Sequence, residues 1–186
     1  MACATGPERP PPQEAHAKDA DNNEAIAIVG MAMKLPGSVR TADEFWDLMA
    51  SKKSGRIAVP PDRYCVDAFY HPAGRPGSVC TRQGHFLQEE VASFDREFFT
   101  IPEHEAAMMD PQQRMLLEVV WECLENAGQT QWRGQEIGCF VGAFGENWLD
   151  LSSRDLQRPR ENQVNTTMDF ALANRVSYTF DLRGPR

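Results

Sequence analysis

Two thiols and two imidazoles, Cys65, His71, Cys80 and His85, fall within one irregular stretch of the chain. Such a donor set suits tetrahedral zinc. The gaps between them are five, eight and four residues, whereas structural zinc sites usually begin with ligands about two to four residues apart, which lowers the entropy of closing the first loop. The spacing favours loop histidines and partly buried thiols, so no metal ligand is assigned. A nucleophilic cysteine needs a helix N-terminus or a cationic neighbour to stabilise its thiolate. Cys123 falls inside a long helical pattern and Cys139 inside a continuous apolar run, and both read as small buried residues. His104, between Glu103 and Glu105, could serve acid/base chemistry but reads as solvated surface. The glycines of IVGMAMKLPG lack the GxGxxG arrangement, and Pro36 stands where a phosphate-binding helix would begin. No cofactor is expected.

The elements that would position these residues alternate in type. The apolar run Ala25 to Gly30 predicts a strand buried on both faces, of the kind found in parallel sheets. Thr41 and Glu44 form a capping box, which predicts a helix over 42–52 with Phe45, Leu48 and Met49 on its inner face and Gly55 just beyond its end. Residues 56–92 are rich in Pro and Gly and predict a long irregular excursion, with a short hairpin around Cys80 to Phe86. In MDPQQRMLLEVVWECLENAG, Asp110 caps, Pro111 takes the first helical position and Gly128 ends the helix in a left-handed conformation. Its stripe is Leu116, Val120, Cys123, Leu124 and Ala127, widened by Leu117, Val119 and Trp121, which implies burial on more than one side. A second buried strand is expected over 137–142, and a last helical pattern over 166–180. Strand, helix, helix, strand, helix is an α/β order.

Composition narrows the partners. The 186 residues carry 19 Lys and Arg against 27 Asp and Glu, a net charge of −8, which lacks the positive field that would hold nucleic acid or an anionic membrane. No apolar stretch approaches the roughly 18 residues that span a bilayer, and the N-terminus lacks the pattern of a secretory signal. Five scattered cysteines suit reduced thiols, so the expected location is cytoplasmic. Residues 1–23 hold four of the 13 prolines and too little apolar surface to offset ordering entropy, which predicts a disordered, removable leader ahead of a folded part over 24–186.

Taken in order, EAIAIVGMAMKLPG, FWDLMASKKSG, VPPDRY, FDREFFTIPEHEAAMMDPQQRMLLEVVWECLENAG, IGCFVG and ANRVSYTFDLRGP resemble the N-terminal portion of the β-ketoacyl synthase (ketosynthase) domain of type I polyketide synthases. The likeness runs from Glu24 to Pro185, and MDPQQR with the helix after it is highly specific. VDAFYHPAGRPGSVCTRQGHFLQEEVASFD is most similar to fungal highly reducing enzymes. The resemblance implies a thiolase-like α/β fold, of which this chain would be the N-terminal part of the first half. It implies an acyltransferase of secondary-metabolite biosynthesis, related to those of fatty acid biosynthesis, which performs decarboxylative Claisen condensation of acyl and malonyl thioesters. Its partners would be acyl carrier protein thioesters and a second ketosynthase in a homodimer.

In such enzymes the nucleophilic cysteine lies in a TACSS motif just after the segment matching DLRGP, and two histidines follow much later. The sequence stops at Arg186, so none of the three has a counterpart here. Cys123 and Cys139 match structural positions and inherit no such role, and no catalytic, cofactor or metal residue is assigned. The expectation is a scaffold fragment without condensing activity, poorly stable or self-associating when alone. The alternative is a non-catalytic docking or regulatory partner of an intact synthase. Two stretches depart from the pattern: MAMKLPGSV stands where a Cys-Arg pair is common before LPG, and NQVNTTMDFALAN lacks glycines often found before the last helix.

Overall fold

A computed structural model describes residues 25–145, 147–154 and 163–186, so the expected leader over 1–23 lies outside the described residues. The capping box forms as its residue types dictate and starts α1 (Ala42–Ala50). Glu44 N–H donates to Thr41 Oγ1 at 3.2 Å, and Thr41 N–H donates to Glu44 Oε2 at 3.0 Å, satisfying two donors that a helix start otherwise leaves open. The backbone N–H groups of Arg40 and then Thr41 hold the Glu44 carboxyl below its ordinary pKa. The expected inner face of α1 is largely uncovered: Leu48 is half-buried, while Phe45 and Met49 are exposed.

The excursion over 56–92 is irregular, as its Pro and Gly content implies, but its hairpin is not local. The strand β2 (Gln83–His85) occupies the stretch where a hairpin was expected, yet pairs antiparallel with β1 (Arg56–Ala58), with Ile57 opposite Gly84. A single turn of 3-10 helix at Val66–Ala68 lies between them. Arg82 closes the loop by sitting 4.0 Å over the Tyr70 ring and 3.0 Å from Asp67.

Helix α2 (Glu103–Met108) leads directly into α3 (Pro111–Asn126). Asp110 Oδ1 accepts from Gln112 N–H at 2.7 Å, Pro111 fills the first turn, and Gly128 follows the C-cap Ala127 at φ +64°. All three end signals were readable. The buried face is rotated from the expected stripe. Leu117 is completely buried, whereas Leu116, Val120, Cys123 and Leu124 are half-buried. The remaining helices are α4 (Asn147–Ser153), α5 (Gln163–Thr167) and α6 (Ala171–Phe180). The helical pattern expected over 166–180 is thus broken at Met168–Phe170, where Asp169 Oδ1 accepts from Phe170 N–H at 2.7 Å, a local bond that competes with helix continuation.

The core lies between α2, α3, α6 and the segment before α2. It gathers Ile101, Met109, Leu117, Trp132, Val176 and Phe180. Aromatic edges lock it, with Trp121 against Trp132 at 5.4 Å and Phe98 against Trp121 at 4.7 Å, both T-shaped.

The two expected buried strands require correction. Residues 25–30 and 137–142 belong to no sheet among the described residues, and they are not buried on both faces: Ile26 is 96% exposed and Phe140 is 83% exposed. Among the described residues, the run over 135–139 is hydrogen-bonded to another segment on one side. Arg183 N–H donates to Gln135 O at 2.8 Å and Cys139 N–H donates to Pro185 O at 2.9 Å. The apolar run identifies a segment suited to a sheet interior but cannot supply the neighbouring strands.

Among the described residues, the run over 25–30 is anchored at its end. Met31 N–H donates to Asn126 Oδ1 at 3.0 Å, and a Cβ on Gly30 would lie 2.6 Å from Ala127 Cβ. That approach explains why glycine closes this run.

Candidate functional site

The MDPQQR segment is a hub of hydrogen bonds between elements. Asp110 N–H donates to Thr166 O at 2.8 Å, Gln113 Nε2 donates to Asn165 O at 3.0 Å, and Trp148 Nε1 donates to Met108 O at 2.9 Å. The start of α3 is thereby tied to α5, and the end of α2, just before the motif, to α4. Burial raises the Asp110 pKa, opposed by the Gln112 N–H and by Arg114. Burial likewise lowers that of Arg114, opposed by Asp110 and Glu118. Of the motif's polar residues, Asp110, Gln113 and Arg114 are buried and Gln112 is exposed, so the buried ones serve the junction rather than a substrate in solvent.

Lys34 makes a second junction, pairing with Glu118 of α3 and lying 3.8 Å from Glu89, which Arg40 meets at 2.7 Å. It ties the LPG turn and the end of the excursion to α3. Lys34 lies in the MAMKLPGSV stretch that departs from the expected pattern, and its cation has two carboxylate partners.

Two clefts border α6. One, of about 680 Å³, is floored by Phe98, Trp121 and Phe180 and rimmed by Arg133. The other, of about 380 Å³, is lined by Asn165 and Asn174. They share Glu105, Arg175 and Tyr178. Sequence reading placed Glu105 with His104 on a solvated surface. His104 and Glu103 are exposed, but Glu105 turns inward and meets Arg175 at 2.6 Å. The position alone gave no sign of this, because the partner lies in another helix.

The candidate thiols and imidazoles are dispersed. Cys65, Cys80 and His85 are exposed and His71 is half-buried. Among the described residues, no group of three or more His, Cys, Asp or Glu side chains could hold a metal ion. Cys123 is half-buried within α3, and Cys139 packs against the core. Among the described residues, no helix is long and apolar enough to cross a membrane.

Comparison with known proteins gives the frame for this geometry. Residues 23–186 match the family model of the β-ketoacyl synthase N-terminal domain. The chain is 50% identical over 164 residues to the highly reducing polyketide synthase gloL of Glarea lozoyensis, covering 87% of this chain and 6% of that protein. It is 49% identical over 162 residues to the highly reducing polyketide synthase FUM1 of Gibberella moniliformis, covering 86% and 6%. The chain therefore spans about 6% of the length of the curated relatives it matches.

Among solved structures, the oxazolomycin ketosynthase domain of Streptomyces albus JA3453 superposes with a TM-score of 0.65 at 32% identity, over 85% of this chain and 28% of that one. The ketosynthase from module 6 of the bacillaene synthase of Bacillus subtilis 168 gives a TM-score of 0.69 at 27% identity, over 86% and 25%. The α/β arrangement described above is the N-terminal part of that thiolase-like fold.

Proposed function

Because the chain belongs to the β-ketoacyl synthase family, we propose that residues 24–186 form scaffold of a polyketide ketosynthase and carry none of the reacting groups. The complete domain would take an acyl group as a thioester on a cysteine. It would release CO2 from a malonyl thioester and join the resulting carbanion to the acyl carbon, freeing the cysteine thiolate. Those steps need an activated thiolate and hydrogen-bond donors aimed at the enolate oxygen. The partners on this reading are acyl carrier protein thioesters and a second ketosynthase.

The observation that carries the reading is where the residues of the most specific motif point. The Gln113 and Arg114 side chains donate to Asn165 O and Ala92 O, and the Asp110 backbone N–H donates to Thr166 O, inter-element contacts of the kind a scaffold requires. The exposure of Ile26, Ile28, Phe140 and Phe144 supports it further, since such side chains belong against other parts of a larger fold. The same exposure favours a second reading, docking onto an intact synthase as a non-catalytic partner.

Complementation distinguishes the two. A related ketosynthase lacking the region matched by residues 23–186 is co-expressed with this chain, and condensation of acyl and malonyl thioesters is measured. Recovered activity that is absent from either chain alone is the expected result. β-Ketoacyl product from this chain alone would refute the scaffold reading. Binding to an intact synthase without complementation would favour the docking reading.

A further inference from the structure

Helix α6 is held on one side by α3, where Val176 and Phe180 join Leu117 in the core. An ion pair ties it to α2 as well, Arg175 Nη1 to Glu105 Oε1 at 2.6 Å, beside the core to which α2 contributes Ala106. The two side chains are 14% and 21% exposed, so water and salt screen this pair less than an open surface pair. Both residues stand on the wall shared by the two clefts, and the pair forms the partition between them.

The chain leaving α6 is tied to a second segment in a fixed order. Asp181, at φ +51°, turns the backbone out of the helix. Gly134 N–H then donates to Asp181 O at 2.7 Å, Arg183 N–H to Gln135 O, and Cys139 N–H to Pro185 O. A shift of α6 would thus be passed to Cys139 through the five residues Asp181–Pro185, which these bonds tie to residues 134–139.

We infer that the Glu105–Arg175 pair is a positioning latch: it fixes α6 against α2, keeps the two clefts apart, and through Asp181–Pro185 sets the seating of the run that contains Cys139. On the ketosynthase reading proposed above, the segment it sets is the one that leads to the reacting cysteine, so the pair would position that group. The latch itself stands on the geometry alone.

The test uses the full chain and follows each cysteine's modification by a thiol reagent, read peptide by peptide by mass spectrometry. Arg175→Met is expected to speed modification of Cys139 roughly fivefold, a size typical of local opening linked to one partly buried pair, while Cys123 inside α3 keeps its rate. The charge exchange Glu105→Arg with Arg175→Glu is expected to restore slow modification of Cys139.

Unchanged Cys139 reactivity in Arg175→Met, or parallel acceleration of Cys123 and Cys139, would overturn the latch. The second result would mean general loosening. Should Arg175→Met fail to fold, Glu105→Gln decides: faster modification of Cys139 alone upholds the latch, and an unchanged Cys139 or acceleration at both cysteines overturns it. The complementation assay reads a different property, so it can fail while this result stands.

Discussion

Replacing Gly30 with Ala tests how the first extended run is attached to the core. The new Cβ would sit 2.6 Å from Ala127 Cβ, 2.7 Å from Cys123 O and 2.9 Å from Ala127 N, where non-bonded carbons prefer roughly 3.5–4.0 Å. Two of the three neighbours are backbone atoms of the last turn of α3, and Ala127 N–H already donates to Cys123 O at 2.9 Å. They cannot retreat without stretching that bond, so the run itself must lift by about 1 Å. Overpacking of this kind costs about 1–3 kcal/mol. Alanine also restricts the unfolded chain, which returns about 0.4–1 kcal/mol.

The expected net loss is about 1–2 kcal/mol, with a ceiling set by simply releasing the run and its exposed Met31–Asn126 bond. Urea unfolding followed by tryptophan fluorescence should show the midpoint falling by about 0.5–1 M with the slope unchanged. Ala127→Gly, added to Gly30→Ala, removes the nearest atom but leaves the Cys123 carbonyl, so it should recover only part of the loss. A Gly30→Ala chain as stable as the parent, or more so, would refute the close approach.

Leu117→Ala, at a completely buried position between α3 and α6, should cost about 2–5 kcal/mol in the same urea experiment, with Leu117→Met costing less than about 1.5 kcal/mol. The Asp110 carboxyl has its pKa raised by burial in the folded state, so the folded chain holds that proton more tightly than the unfolded one. Its contribution to stability is present at low pH and is lost as pH rises from the ordinary carboxylate range through the raised folded value. Asp110→Asn keeps a capping oxygen and should abolish this component of the pH dependence measured by thermal melts. Asp110→Ala should lower stability at neutral pH by about 0.5–2 kcal/mol, because the Gln112 N–H loses its acceptor.

What was legible in the sequence follows the range of the interactions involved. Thr41 with Glu44 and Asp110 with Pro111 and Gly128 mark helix ends through contacts spanning only a few residues, and both helices begin and end near their signals. Partners far apart in the chain left no such mark. Gln83–His85 pairs with Arg56–Ala58, and Glu105 meets Arg175 seventy positions away. A carboxylate flanked by a histidine and a second glutamate looks like solvated surface until a helix from elsewhere brings a guanidinium to it. The family resemblance reached further because it rests on many positions at once, yet it too left no indication of which MDPQQR side chains point inward.

The stripe of α3 shows the same limit in a different form. Its period marks the helix, but the apolar residues occupy so much of the circumference that the sequence cannot single out the deepest position. The structure selects Leu117 because Val176 and Phe180 of α6 approach from that direction, while Leu116 and Val120 take the margins. The runs over 25–30 and 137–142 are the extreme case. Their composition states a demand for burial on both faces, and a single hydrogen-bonded side at 135–139 meets only part of it. Burial is a property of a pair of surfaces, and one sequence segment encodes only its own half. Ile26 and Phe140 show that residue types can be right for a buried sheet while the side chains face solvent.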